Sequence, residues 1–144
     1  MTVADVYFAD SSFWIAISSR RDQCHADAAA WRQAVVQTAS RIVTTEAVLW
    51  EWLNALSHQS VRGIAAEGYR RVRADPQIEV VAFQPDLSDA AIKLYRGRAD
   101  KNWSLTDCLS FVIMEQRALT EALTTDSHFE QAGFRANMLH HPSP

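Results

Sequence analysis

Apolar residues along this chain switch repeatedly between short runs rich in β-branched and aromatic residues and longer stretches with a spacing near 3.6. Val6–Ala9 reads as a buried strand, followed by a helix from about Ser12 to Ser18. Cys24–Ala39 predicts an alanine-rich helix with Trp31, Val35 and Val36 as its apolar points. Arg41–Thr44 predicts a second strand. It feeds a helix, Glu46–Gln59, in which Leu49, Trp52, Leu53 and Leu56 share a broad apolar face, with Val48 and Ala55 along its margin. Val61–Arg73 is helical and closed by the Asp75-Pro76 breaker. Ile78–Phe83 predicts a third strand, since its β-branched run is too short for a helix. Leu87–Arg96 and Asp107–Arg117 predict helices, the second apolar nearly all round. Ala122–Thr124 predicts a short strand and Ser127–Ala132 a brief helix stopped by Gly133, with Ala136–Leu139 as a final edge strand.

Strands alternating with helices predict parallel pairing. The expected class is α/β, a three-layer α/β/α sandwich around a central, mainly parallel sheet. Such sheets bind ligands beyond the carboxyl ends of their strands, near the point where strand order reverses. Acidic residues recur at those places. Asp10 ends the first strand, and the helix fed by the second carries Glu46 and Glu51. Ser104-Leu105-Thr106-Asp107 opens a separate helix, and the fourth strand ends in Thr124-Thr125-Asp126-Ser127. Asp10, Glu51, Asp107 and Asp126 are thereby candidates to meet at one edge of one sheet. Ionised carboxylates gathered there repel one another. A hard divalent cation relieves that repulsion; Mg²⁺ takes a few carboxylates and keeps several waters. It can polarise a phosphoryl oxygen and activate a bound water, which points to phosphodiester hydrolysis.

Each acid also has a purely local reading. Asp10 is placed to cap the helix after its strand. Asp107, three residues after Ser104, fits a variant of the capping box. Asp126 is placed as an N-cap, and Ser127 with Glu130 repeats the capping-box spacing. Glu51 falls just outside the apolar face of its helix, so it is either solvated or turned into a cleft at the rim.

Composition narrows the field. A chain of 144 residues is expected to form one domain spanning 1–144, and 48% hydrophobic residues supply a core without disulfides or a structural metal. Cys24 and Cys108 fit neither a zinc motif nor a disulfide framework, and Cys108 on its apolar helix reads as core. A reducing compartment is the simpler expectation. No stretch has the length of a membrane span, and Met1–Asp10 lacks the pattern of a signal peptide, so the expected location is cytoplasmic. A net charge of −3 excludes a protein that coats nucleic acid by bulk charge. Arg96, Arg98 and Lys101 lead into the third acidic segment and are candidate phosphate contacts; Arg70, Arg71 and Arg73 read rather as a solvated helix face. The five histidines include no pair at ligand spacing on one helix, and His140-His141 reads as a solvated tail. No strand-end lysine accompanies an acceptor aspartate, and Asp10 is not followed by an Asp-x-Asp pattern. Receiver and phosphatase chemistries are therefore disfavoured.

Four segments, in order, resemble the PIN-domain family, and the VapC-type toxins of VapBC toxin–antitoxin pairs in particular. They are Ala9-Asp10-Ser11-Ser12, Thr44-Thr45-Glu46-Ala47-Val48-Leu49-Trp50-Glu51, Trp103-Ser104-Leu105-Thr106-Asp107-Cys108-Leu109-Ser110-Phe111 and the run from Ala122 to Phe134 that contains Asp126. The second of these selects Glu51 over Glu46. The resemblance implies a Mg²⁺- or Mn²⁺-dependent endoribonuclease with Asp10, Glu51, Asp107 and Asp126 as catalytic, metal-binding acids. Ser12 and Thr106 would orient carboxylates or waters, and Asp100 would be either a further acid or a loop charge. It also implies an RNA substrate, a homodimer and a VapB-like antitoxin whose carboxyl-terminal segment lies in an apolar groove near Asp10 and the Glu46–Gln59 helix. Phe13, Trp14, Trp50 and Trp52 are candidates for that surface, core packing being the alternative for each. A housekeeping PIN nuclease and a non-cleaving PIN scaffold are the competing readings; the second is disfavoured because all four acidic positions are filled.

Overall fold

The structure, a computed structural model, describes residues 4–140 and 144. The strands are β1 (Val6–Ala9), β2 (Arg41–Thr45), β3 (Ile78–Val81), β4 (Glu121–Leu123) and β5 (Arg135–Ala136). The helices are α1 (Ser11–Ser18), α2 (His25–Gln37), α3 (Glu46–Ala55), α4 (Arg62–Ala74), α5 (Pro85–Gly97), α6 (Leu105–Gln116), α7 (His128–Gln131) and α8 (Asn137–His140). The sheet runs β3-β2-β1-β4-β5, and every neighbouring pair is parallel. Helices cover it to give the expected three-layer sandwich. β1 is central, and Tyr7, Phe8 and Ala9 are all buried because both of its faces are covered. After β3 the chain returns across the sheet to place β4 on the free side of β1, so strand order reverses between β1 and β4. Phe8 pairs with both Val43 and Ala122, which brings the carboxyl ends of β2, β1 and β4 to one level.

Several boundaries move for local reasons. α3 ends at Ala55 rather than Gln59; just beyond it the Ser57 hydroxyl turns back onto the Asn54 carbonyl at 2.7 Å. β3 stops at Val81, and α5 begins at Pro85, where a missing N–H costs nothing. The edge strand expected over Ala136–Leu139 is not formed. Pairing ends at Ala136, and the following residues, none of them β-branched, turn into α8, with the Asn137 amide donating to the Ala122 carbonyl at 3.4 Å. His141 and the side chain of His140 lie outside the described residues. Among the described residues no helix is long and apolar enough to cross a membrane.

The core corrects the reading of the aromatic residues. Phe13, Trp14 and Trp52 are 0%, 2% and 1% exposed and do not form a partner surface; only Trp50, at 60%, is available. Trp14 stacks on Trp52 with ring centroids 5.7 Å apart, and Gly68 of α4 approaches that ring so closely that a Cβ there would lie 3.0 Å from it. Helical periodicity gave Phe13 and Trp14 no face of their own on so short a segment, and burial on all sides of α1 decides their role.

Two helices end in the same way. After α2 and α6, Ala39 and Ala118 both sit at φ 54°. Leu119 N–H donates to the Met114 carbonyl at 2.8 Å and Ser40 N–H to that of Val35 at 3.1 Å, the closure of a Schellman turn. Glycine relieves the left-handed strain that alanine carries there, about 1 kcal/mol per residue. Ala118→Gly is expected to raise the unfolding free energy by about 0.5 to 1 kcal/mol. In denaturant titration this reads as a higher midpoint at unchanged slope; an unchanged or lower midpoint would mean the turn carries no such strain.

Candidate metal centre

The β1–β4 reversal opens a crevice, and Asp10 stands at its floor. Asp10 is in the N-cap position of α1 with extended backbone, yet its side chain makes no capping bond. Instead the buried Thr124 hydroxyl, just past β4, donates to Asp10 Oδ2 at 2.9 Å. Burial pushes the Asp10 carboxyl up to about 7, and the nearby charges of Asp107 and Glu51 push the same way against the Ser11 N–H and the Thr124 hydroxyl.

Glu51 is turned into the cleft rather than solvated on the surface of α3, because the Ser11 hydroxyl donates to its Oε1. Glu46 points elsewhere. It accepts the Phe83 N–H at 2.7 Å and holds the start of the β3–α5 connection. Asp107 both caps and faces the site. Its N–H donates to Ser104 Oγ at 3.0 Å and its Oδ2 accepts the Ser104 N–H at 3.1 Å, a reciprocal capping box. The same Oδ2 lies 3.0 Å from His128 Nδ1. Asp126 accepts the His128 N–H at 2.9 Å, as an aspartate opening a short helix does, while its own N–H donates to Thr124 Oγ1 at 3.0 Å. For Asp107 the capping box and the site reading hold together. Asp126, by contrast, accepts the His128 N–H from the residue before the N-cap, Ser127, whose side chain makes no capping bond, so the box expected of Ser127 with Glu130 is not made.

Asp107, Asp126 and His128 each present one ligand atom, and these atoms all lie within 4.8 Å of one another. Asp10 joins them through Thr124, and Glu51 is tied to the first motif through Ser11. Two or more carboxylates with an imidazole are a donor set that can hold a divalent cation. Ser12 Oγ lies 3.1 Å from Thr124 Oγ1 and accepts the Thr125 N–H at 3.1 Å, so it clamps the loop that carries Asp126. Thr106 lines the adjoining groove beside Glu51. Asp100 does not join the cluster. Both of its oxygens are engaged by Arg98 at 3.0 and 3.1 Å, which holds its carboxyl below the usual range on an exposed loop.

All of these site residues, from Asp10 to His128, fall within residues 7–135, which match the model of the PIN domain. The chain belongs to the PIN-domain family. Among curated proteins this PIN domain is similar to the 23S rRNA-specific endonuclease VapC20 of two Mycobacterium tuberculosis strains, at 27% identity over 131 residues, covering 88% of this chain and 94% of the relative. Among solved structures it is similar to that of Mycobacterium tuberculosis VapC20, a sarcin–ricin loop cleaving toxin, with a TM-score of 0.78 and 23% identity over 91% of this chain and 97% of the other.

Three side chains of the PIN site escape a reading of the sequence. Ser11 and Thr124 are visible as hydroxyl residues inside the matching segments, but only the fold shows that they hold Glu51 and Asp10. His128 has no histidine partner on a helix, and its one signal is its place two residues after Asp126. Beside the acids a groove of about 360 Å³ is lined by Trp50, Glu51, Phe83, Ile92, Leu105 and Thr106. The candidate phosphate contacts fare unequally: Arg98 is spent on Asp100 and on the Trp103 ring, 5.0 Å away, whereas Arg96 stays exposed. Arg70 and Arg71 are paired with Glu67 on a solvated face, as expected.

The raised Asp10 carboxyl makes metal-free stability depend on pH. Its folded value, about 7, lies above the ordinary 3.8, so the native state holds the proton more tightly. The contribution is complete below about pH 4 and is lost as pH rises through about 7. In chelator, Asp10→Asn is expected to be more stable than wild type at pH 8, by an amount on the order of 1 kcal/mol or more, and to lose most of that advantage at pH 5. Thermal melts at the two pH values check this; equal differences at both would show that Asp10 ionises normally.

Proposed function

We propose that this protein is a divalent-metal-dependent endoribonuclease acting as the toxin of a VapBC-type pair. The observation that carries the reading is the convergence of Asp10, Glu51, Asp107 and Asp126 around the reversal of strand order, in a PIN domain. Asp107 and Asp126 are the acids placed to hold Mg²⁺ or Mn²⁺ directly, with Asp10 and Glu51 behind them at the ends of two hydroxyl bridges. When bound, the ion supplies charge for a phosphoryl oxygen and a water acidic enough to attack phosphorus. The chain's own part is to fix the carboxylates. Thr124 and Ser12 lock the Asp10 and Asp126 sides together, Ser11 holds Glu51, and the capping box sets Asp107 on the first turn of α6. VapC20 is named for cleavage of 23S rRNA. We carry over from it the class of substrate, RNA phosphodiesters, and not the cleavage site.

A VapC-type role also requires partners, a second copy and a VapB-like antitoxin. The surface that suits an apolar partner segment is the groove, whose rim exposes Trp50, Phe83, Ile92 and Leu105 at 44 to 60%. Trp50 meets Phe83 edge to face at 5.7 Å, a ready anchor pair. An occupant seated there lies against Glu51. Trp50→Glu is expected to weaken self-association or antitoxin binding at least tenfold, an effect of the size of a lost aromatic anchor. Light scattering and titration with the antitoxin peptide check it, and no change in either removes the groove from the proposal.

Asp107→Asn separates the two duties of that residue. Asparagine keeps a side-chain oxygen for the Ser104 N–H but lacks the charge a metal needs. Cleavage of RNA is expected to fall by a factor of at least about 100, with the melting temperature nearly unchanged. Asp107→Ala should in addition cost about 1 kcal/mol of stability by breaking the capping box. Wild-type cleavage should vanish in chelator and return with Mg²⁺ or Mn²⁺. An active Asp107→Asn protein, or undiminished cleavage in chelator, would overturn the proposed mechanism.

A further inference from the structure

His128 lies outside the four acids, yet its ring stands among them. Nδ1 is 3.0 Å from Asp107 Oδ2 and 3.4 Å from Asp126 Oδ1. The ring is anchored from both sides along the chain. The His128 N–H is held by Asp126 Oδ1 at 2.9 Å, and the next residue, Phe129, is fully buried edge-on against Phe111 at 4.9 Å. Neither carboxylate oxygen needs the imidazole to escape an unsatisfied state. Asp107 Oδ2 already accepts the Ser104 N–H, and Asp126 Oδ1 already accepts the His128 N–H. The 3.0 Å approach to Asp107 is a hydrogen bond in the metal-free protein, but the same nitrogen also reaches Asp126, and the three ligand atoms lie within 4.8 Å of one another, close enough to share one ion. Resting on the metal-nuclease reading above, we propose that His128 Nδ1 is a direct ligand in the centre formed with Asp107 and Asp126, and that this nitrogen turns the centre from Mg²⁺ toward transition-metal ions such as Mn²⁺.

Mg²⁺ is served best by oxygen donors and retained water, whereas imidazole nitrogen suits first-row transition metals, most of all the later ones from iron to zinc, with Mn²⁺ at the weak end of that series. A centre of carboxylates alone would hold Mg²⁺ and Mn²⁺ by the same contacts. One nitrogen adds affinity for Mn²⁺ that Mg²⁺ scarcely shares. His128→Gln removes that nitrogen and keeps a polar side chain of similar reach.

The test uses the full chain loaded with Mn²⁺, without RNA, and pulsed electron paramagnetic resonance of the bound ion. Wild-type protein is expected to show nitrogen coupling that changes when the histidines carry ¹⁵N, and His128→Gln should lose it. In direct metal titration His128→Gln should weaken Mn²⁺ at least about tenfold and Mg²⁺ less than about threefold, in the range that ligand-shell changes produce. The labelled wild-type spectrum stands even if the variant folds poorly. Bound Mn²⁺ without nitrogen coupling, coupling that survives in His128→Gln, or equal losses for the two ions would each overturn the role of His128. Chelator-sensitive cleavage would in that case leave the nuclease reading in place. Failure to bind Mn²⁺ together with chelator-insensitive cleavage would bring down both.

Discussion

The carboxyl group of Asp10, buried at the end of the central strand, is costly to ionise there, and much of the surrounding structure answers to that cost. Burial alone drives its titration toward neutrality, with Asp107 and Glu51 adding to the push. A carboxyl in such a place persists in a stable fold only with hydrogen-bond donors aimed at it. The Ser11 N–H and the Thr124 hydroxyl are those donors, and both come from the chain immediately beyond a strand of the parallel sheet. Parallel pairing in register, Phe8 with Val43 and with Ala122, makes such a convergence possible. An antiparallel neighbour would present the opposite strand end at that level.

The hydroxyls turn a set of repelling charges into a framework. Thr124 donates to Asp10 and accepts from the Asp126 N–H, so one buried side chain fixes the spacing of two acids. Ser12 clamps the same loop, and Ser11 reaches across to Glu51. Asp107 and Asp126 show how a structural duty can coexist with a place in the candidate metal centre. Each uses carboxylate oxygen to hold a backbone N–H at a helix start, and an oxygen so engaged keeps a further lone pair. The positive end of the helix also favours the charge that a cation site requires. Capping is part of how these acids are aimed.

The alternation of strand and helix patterns made the sheet legible, and with it the positions of Asp10 and Asp126, because residues just past the strand ends of a parallel sheet share one edge whatever their side-chain contacts. Glu51 and Asp107 lie on α3 and α6, and it was the motif resemblance that singled them out. Boundaries failed where local chemistry overrode the pattern, as at Ser57 after α3 and Asn137 after β5. The tryptophans were not legible. An aromatic side chain on a short helix fits a core or a surface equally well, and only the neighbouring helix decides. Asp100 was misleading for a related reason: charge near a motif is visible in sequence, but the half-buried Arg98 that takes it is chosen by the loop. His128 escaped because ligand spacing along a helix is a poor guide to ligands brought together from separate elements.

The buried tryptophans matter to the site all the same. Trp14 on α1 stacks on Trp52 on α3, its indole N–H lies 3.4 Å from the Thr44 hydroxyl, and that hydroxyl donates to the Ala9 carbonyl at 2.8 Å. The indole N–H of Trp52 donates in turn to Ser18 Oγ at 3.0 Å. These contacts lock α3 against α1 and the end of β1, which is what sets Ser11 opposite Glu51. Successive residues on a helix point about 100° apart. Trp52 therefore faces the core, Glu51 the crevice and Trp50 the solvent-facing groove, three consecutive side chains with three environments. The partner segment proposed for the groove would meet the same turn of α3 that carries Glu51 and that the Trp14–Trp52 stack holds in place. Support from that stack beneath the turn keeps the acid in position in the free protein.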